Sequence, residues 1–346
     1  MKIAVLGGGH GALATAADTA SRGFQVRLAL RNRPRFEALF KTRHIRMTGA
    51  LEAEAELAEV TTDHAVAARG ADLVLVPLPA YAQEAMAAAI TEAVAPGQVI
   101  CLMPGTFGAY VAGRLLPGTI VAETATLPYG ARQSGEDSVA TALHAAHLPT
   151  GVYPARETER ALELIKLVYS QAKPVEDVLS AALLNSNGSL HAPLVILNVG
   201  PIDRGPYDIH VEGTTAAVKR VIESTDAERI ALRERLGYGP PHWPLMDFYR
   251  DADWFYGPGA FTGVQRTSVW REQLPFDHRY ITEDVAIGLA LWASLGRSVG
   301  MPTPMTDAFL ALASAINQAD YARTGRTLES LGLAGLDASD LRARLL

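Results

Sequence analysis

The chain has one cysteine, Cys101. That excludes a disulfide framework and any cysteine-rich zinc module, and no metal site is expected. It also lacks an apolar run of the ~20 residues that a membrane span needs. The uncharged stretch from Leu73 to Ala82 is interrupted by Pro77 and Pro79. Only four apolar residues, Ile3 to Leu6, separate Met1-Lys2 from three glycines. A secretory signal needs a longer apolar region and a small-residue cleavage site. There is no surplus of basic charge: Lys plus Arg is 31, Asp plus Glu is 37, and the formal charge is −6. A general nucleic-acid binder would need a basic face to meet phosphates. Long like-charge blocks are missing too, so disorder is expected only at the ends. These absences describe a cytoplasmic protein with neither nucleic acid nor membrane as partner.

There are 346 residues, 49% of them hydrophobic. At roughly 100–200 residues per domain, that predicts about two domains with ordinary cores. The first half alternates β-rich runs with helical patterns. Strands are predicted at 2–6, 25–30, 72–77, 98–103 and 119–124, and helices at 11–21, 81–95 and 106–115. Continuous apolar strands alternating with helices predict a doubly wound parallel sheet with right-handed crossovers. Two further β-like runs, 138–143 and 150–153, are read as extensions of that sheet.

From about Val178 the pattern becomes helical, with long segments at 178–197, 211–236, 282–295 and 304–322. The fold class is therefore α/β: a Rossmann-type domain over 1–178, then an all-helical domain over 179–346. A loop rich in proline and aromatics, 237–275, interrupts the helical half and carries Trp243, Trp254 and Trp270, all but one of the four tryptophans. A small core and a subunit contact, as in a homodimer, are the two readings open for these aromatics.

The first strand runs into Gly7-Gly8-Gly9-His10-Gly11-Ala12. Read as G-x-G-x-x-A, Gly7 permits the tight turn, Gly9 lets a pyrophosphate approach the backbone, and Ala12 allows close helix–strand packing. The motif alone is weak. Its place after a strand, before a helix and within a βαβ unit makes it a dinucleotide site. The second strand should end on the group that reads the ribose, usually Asp or Glu in NAD sites. Here the residues are Arg31-Asn32-Arg33. Two guanidinium groups suit a 2′-phosphate, so NADP(H) is the preferred cofactor and NAD(H) the alternative. The turn Met103–Gly108 is open to two readings, a nicotinamide contact or an ordinary strand–helix turn. Cys101, in a buried strand, is read as a core residue.

In the helical half, Asn187, His191, Leu194 and Asn198 share one helix face by their spacing. Pro193 disturbs that helix. Farther along, Thr282 is read as the N-cap of a helix that carries Glu283 and Asp284 in its first turn. An acid so placed stays ionised and can orient and stabilise an imidazolium. The residues alone leave both open, as a hydrogen-bonded core histidine and as acids serving a helix terminus.

The loop GGGHGA, the segment NSNGSLHAP, the run RYITEDVAIGLA and the tail GRTLESLGL (Gly325–Leu333) together resemble the octopine/nopaline, or opine, dehydrogenases. The resemblance covers nearly the whole chain. It implies a Rossmann domain joined to a helical one with the site between them. It implies condensation of an amino acid with a 2-oxo acid to an imine, then reduction by NADH or NADPH. It also implies His191 as catalytic histidine, Asp284 as its partner acid and Arg279 as a substrate-carboxylate ligand. Asn187 is a further substrate-binding candidate. Many family members carry proline where this chain has Ala286. Within the 237–275 loop, Trp243, Trp254, Tyr256 and the acids Asp247, Asp251 and Asp253 are candidates for selecting the amino acid side chain. Two other functions stay open: a hydroxy-acid or glycerol-phosphate type dehydrogenase, and a non-catalytic dinucleotide-binding sensor. The first generally uses a lysine on the interdomain helix, and the segment 178–197 has none.

Overall fold

A computed structural model describes residues 1–267 and 270–346. The chain divides into two compact units, Met1–Ala182 together with Leu346, and Leu183–Leu345.

The first unit is built on an eight-stranded sheet. Its order is Ala172–Pro174, Leu148–Tyr153, Ile120–Thr124, Val99–Leu102, Leu73–Val76, Lys2–Leu6, Gln25–Ala29 and Glu59–Thr61. All neighbours pair in parallel except Leu148–Tyr153, which runs antiparallel to Ile120–Thr124. The central strands are apolar and buried along their whole length, as Leu73–Val76 and Val99–Leu102 show. That is the signature of a sheet covered on both faces. The strand order reverses beside Lys2–Leu6, so the glycine-rich turn leaves the sheet at its topological switch point, where open α/β folds bind ligands. Cys101 lies fully buried in this core, where burial pushes its thiol up to about 12.

Of the two predicted sheet extensions, only the second joins the main sheet. Ser138–His144 belongs to a separate four-stranded sheet, ordered Ala53–Glu56, His44–Gly49, Ser138–His144 and Tyr129–Gln133. Ala53–Glu56 reads Ala-Glu-Ala-Glu with only its alanines half-buried, so it carries little apolar signal.

The second unit is helical, with one isolated bridge between Tyr207 and Glu272 among the described residues. The segment expected as one helix over 178–197 is two, Val178–Leu184 and Asn187–Ile196, because the chain turns at Asn185-Ser186. The Asn185 side chain accepts the Asn187 N–H at 3.1 Å and so starts the second helix. No helix among the described residues is long and apolar enough to cross a membrane.

Candidate active site

The glycine-rich turn has the form a dinucleotide needs. Gly7 has φ +143°, and a Cβ there would meet Leu78 Cδ2 at 3.0 Å and the Ala12 Cβ at 3.3 Å. A Cβ on Gly9 would meet nothing within 4 Å, so the approach to the N-terminus of helix His10–Ser21 is open. That terminus has no side-chain cap and no acid in its first turn, which suits an incoming pyrophosphate. His10 Nδ1 accepts the Gln133 N–H at 2.7 Å, so a neutral ring carries its proton on Nε2.

Arg31, Asn32 and Arg33 are exposed just past the second strand. Asn32 Oδ1 accepts the Arg35 N–H at 3.2 Å and caps the short turn Arg33–Phe36. The Arg33 guanidinium lies 4.8 Å from the Phe40 ring centre. Arg35 donates to Gln133, whose backbone holds His10, so one residue links the two loops. The first carboxylate after the strand, Glu37, is paired with Lys41 at 2.8 Å.

The turn Met103–Gly108 holds Thr106 and Phe107 at φ +53° and +65°, a strained conformation for side-chain-bearing residues. The buried Glu123 carboxylate maintains it, accepting the Phe107 and Ala109 N–H groups at 2.8 Å each.

In the helical unit, His191 and Asp284 meet although 93 residues apart. His191 Nδ1 lies 2.7 Å from Asp284 Oδ2, and both residues are almost wholly buried, at 6% and 3% exposure. Gly188 makes this approach possible: a Cβ there would meet Leu289 Cδ2 at 2.8 Å and hold the histidine helix off.

The acid arrives by a different route from the one expected. Thr282 is not the N-cap. His278 caps the turn Arg279–Thr282, its side chain accepting from the Tyr280 N–H, and Thr282 closes that turn. Asp284–Leu289 then forms a π-helical stretch, with the Gly288 N–H reaching back five residues to the Glu283 carbonyl, before α-helix Ala290–Ser298 resumes. Ala286 lies within this stretch, and its carbonyl accepts the Arg326 N–H from the Gly325–Leu333 tail. Asp284 is therefore not held ionised by a helix N-terminus. Burial lifts its carboxyl to about 7, with Arg279 pulling the other way.

Arg279 is half-buried and pairs with the buried Glu283 at 3.1 Å. Burial opposes its charge, but Glu283 and Asp284 outweigh that and push its pKa up. Asn187 is half-buried in the first turn of the His191 helix. Asn198 leaves the expected face: the helix ends at Ile196, and its Nδ2 donates to the carbonyls of Leu194 (2.8 Å) and Gly213 (3.2 Å). Two tightly placed rings escaped the sequence reading, and a third, Trp270, was read only as one of the loop aromatics. Tyr280 stacks on His191 with centroids 3.8 Å apart, and His210 stands edge-on to it at 6.0 Å, with Trp270 5.5 Å beyond. Tyr280 follows Arg279 directly, a proximity that was its only signal.

The other aromatics of the 237–275 loop form a small core. Phe248 packs on Trp254 and Phe261, and Trp254 on Phe255. Asp251 staples this loop, its carboxylate accepting the N–H groups of Phe261 (2.9 Å) and Thr262 (3.1 Å) and the Thr262 hydroxyl. Among the described residues no group of three or more His, Cys, Asp or Glu could hold a metal ion.

A switch-point glycine turn in one unit and a buried histidine–acid pair in the other define an NAD(P)-dependent oxidoreductase. Residues 174–317 match the family described as NAD/NADP octopine/nopaline dehydrogenase, alpha-helical domain, and residues 3–128 match ketopantoate reductase PanE/ApbA. The opine dehydrogenase of Arthrobacter sp. (strain 1C) is 32% identical over 297 residues, covering 82% of this chain and 81% of that protein. The vitopine synthase of Allorhizobium ampelinum is 23% identical, covering 96% of each. Among solved structures, octopine dehydrogenase with NADH and pyruvate gives a TM-score of 0.73 at 17% identity, covering 99% of this chain and 98% of that one. Yersinopine dehydrogenase with NADP⁺ gives 0.69 at 18%, covering 100% and 97%. The chain belongs to the opine dehydrogenase family.

Proposed function

We propose that this protein joins an amino acid to a 2-oxo acid through an imine and reduces it to an N-(carboxyalkyl) amino acid, using His191 and Asp284 as its acid–base pair. The observation that carries the roles is the buried 2.7 Å contact between His191 Nδ1 and Asp284 Oδ2. With Nδ1 so committed, Nε2 is the ring's working atom. The amino acid enters as an ammonium and becomes a nucleophile only after losing a proton, which His191 accepts at Nε2. The same atom returns a proton to the carbonyl oxygen as water leaves. Asp284 orients the ring and stabilises its charged form. Arg279, with Glu283 holding one side, offers a fixed cation to a substrate carboxylate, and Asn187 is a second polar contact for substrate.

When bound, a reduced nicotinamide supplies the hydride. Gly7, Gly9, His10, Gly11 and Ala12 hold its pyrophosphate, and Arg31, Asn32 and Arg33 its ribose end. The two exposed guanidinium groups and the missing carboxylate support a preference for NADPH.

Cofactor oxidation should be followed by the loss of reduced-nicotinamide absorbance, with 2-oxo acid alone, amino acid alone and both. Oxidation that needs both is expected. Equal oxidation with 2-oxo acid alone would point to a hydroxy-acid dehydrogenase instead. For the cofactor end, replacing Arg31 and Arg33 with serine should raise KM for NADPH by roughly 10- to 100-fold, as expected when charge-assisted phosphate bonds worth about 1.5–3 kcal/mol are removed. KM for NADH should change little. An equal loss for the two cofactors would count against the 2′-phosphate assignment.

A further inference from the structure

The proposed reaction has a proton balance that its buried pair cannot meet alone. An ammonium, a 2-oxo acid and reduced cofactor become a secondary ammonium, water and oxidised cofactor, and one proton is taken up per turnover. That proton comes from solvent, yet His191 is 6% exposed and Asp284 3%.

His210 stands in the right place. It is half-buried, and its ring centre lies 6.0 Å from that of His191 and 6.4 Å from that of Tyr280. One water molecule bridges such a gap between ring nitrogens. The loop that carries it is built to hold it. The buried Asp208 carboxylate accepts the His210 and Val211 N–H groups at 2.9 and 3.0 Å. Asn198 Nδ2 holds the Gly213 carbonyl, and the Thr214 hydroxyl donates to the Ile209 carbonyl. The Tyr207–Glu272 bridge ties this loop to the stretch that carries Trp270, whose ring stands edge-on to that of His210 at 5.5 Å. Among the described residues, the titratable rings recorded against His210 include His191 and Tyr280, and Asp208 of its own loop is committed to backbone.

We propose that His210 exchanges protons between solvent and the His191–Asp284 pair. Histidine is the side-chain type able to take and give a proton near neutrality. The inference rests on the acid–base role of His191.

The test compares wild type, His210→Ala and His210→Gln in weak buffer and over a series of imidazole concentrations. Both variants should lose roughly 10- to 100-fold in kcat, less than the 10²–10⁴ of a group acting in the transition state. KM for both substrates should stay near wild type. Added imidazole should restore kcat toward wild type, whose own rate stays flat. A kcat within about twofold of wild type, small beside a positioned acid–base effect, overturns the relay. So does a loss that imidazole fails to restore, which would leave His210 a packing partner of Tyr280. The two readings fail separately. Full activity in His191→Ala overturns the acid–base assignment and the relay with it. An enzyme that needs His191 but keeps its kcat without His210 overturns the relay alone.

Discussion

Replacing His191 with alanine is expected to lower kcat by about 10²–10⁴-fold, the usual contribution of a positioned acid–base group. At 1.36 kcal/mol per tenfold, that is about 2.7–5.5 kcal/mol of barrier. Cofactor affinity should barely move, because the glycine turn proposed to hold the phosphates lies in the other unit. Asp284→Asn should also lower kcat, because an amide cannot stabilise an imidazolium. The double variant should be no worse than His191→Ala, since the two act as one unit across their 2.7 Å contact. Additive losses would mean that the acid acts on its own. A fully active His191→Ala would make the histidine a core residue.

The second large effect falls on stability. Arg229 is fully buried, and all three of its guanidinium nitrogens donate hydrogen bonds. Its Nε donates to Asp226 Oδ1 at 2.6 Å, Nη1 to the Leu183 carbonyl, and Nη2 to the carbonyls of His242 and Trp243 and to Asp226 Oδ2. Asp226 also accepts the Leu245 N–H at 2.8 Å. One side chain thereby ties helix Ala216–Arg235 to the start of the 237–275 loop and to the end of helix Val178–Leu184. Arg229→Met removes the cation but leaves a buried carboxylate and three carbonyls. The expected cost is about 3–5 kcal/mol, read as a lower urea midpoint for the helical unit. Adding Asp226→Asn should recover part of it, because the orphaned charge is the larger penalty. A single variant within about 0.5 kcal/mol of wild type, the range of ordinary surface changes, would show that the network is dispensable.

What the sequence revealed depended on how local the physics was. The glycine turn was legible because its backbone demands lie within six residues, Gly7 to Ala12, between a strand and a helix. Fully buried strands such as Leu73–Val76 announce themselves by unbroken apolar runs. The small second sheet does not, since Ala53–Glu56 alternates alanine with exposed glutamates. Thr282 was the best cap by residue type, yet His278 took the role one turn earlier. Tyr280 and His210 were missed because their significance lies in rings brought together from 191, 210 and 280, which no spacing rule encodes. The setting of Asp284 was missed for the same reason: a helix terminus is visible in sequence, whereas the burial that raises its carboxyl is a property of the fold.

The π-helical stretch at Asp284–Leu289 matters for anyone aligning this chain with others. A π turn holds one residue more than the α turn it interrupts. Set against a homologue whose helix stays α throughout, the register matches on both sides only if a single-residue gap opens inside a helix. Alignment scoring discourages a gap there. Counting straight through from the C-terminal side instead would transfer the acid's role to the aliphatic Val285. For this family the partner acid is safest carried over by its distance to the histidine ring rather than by its column.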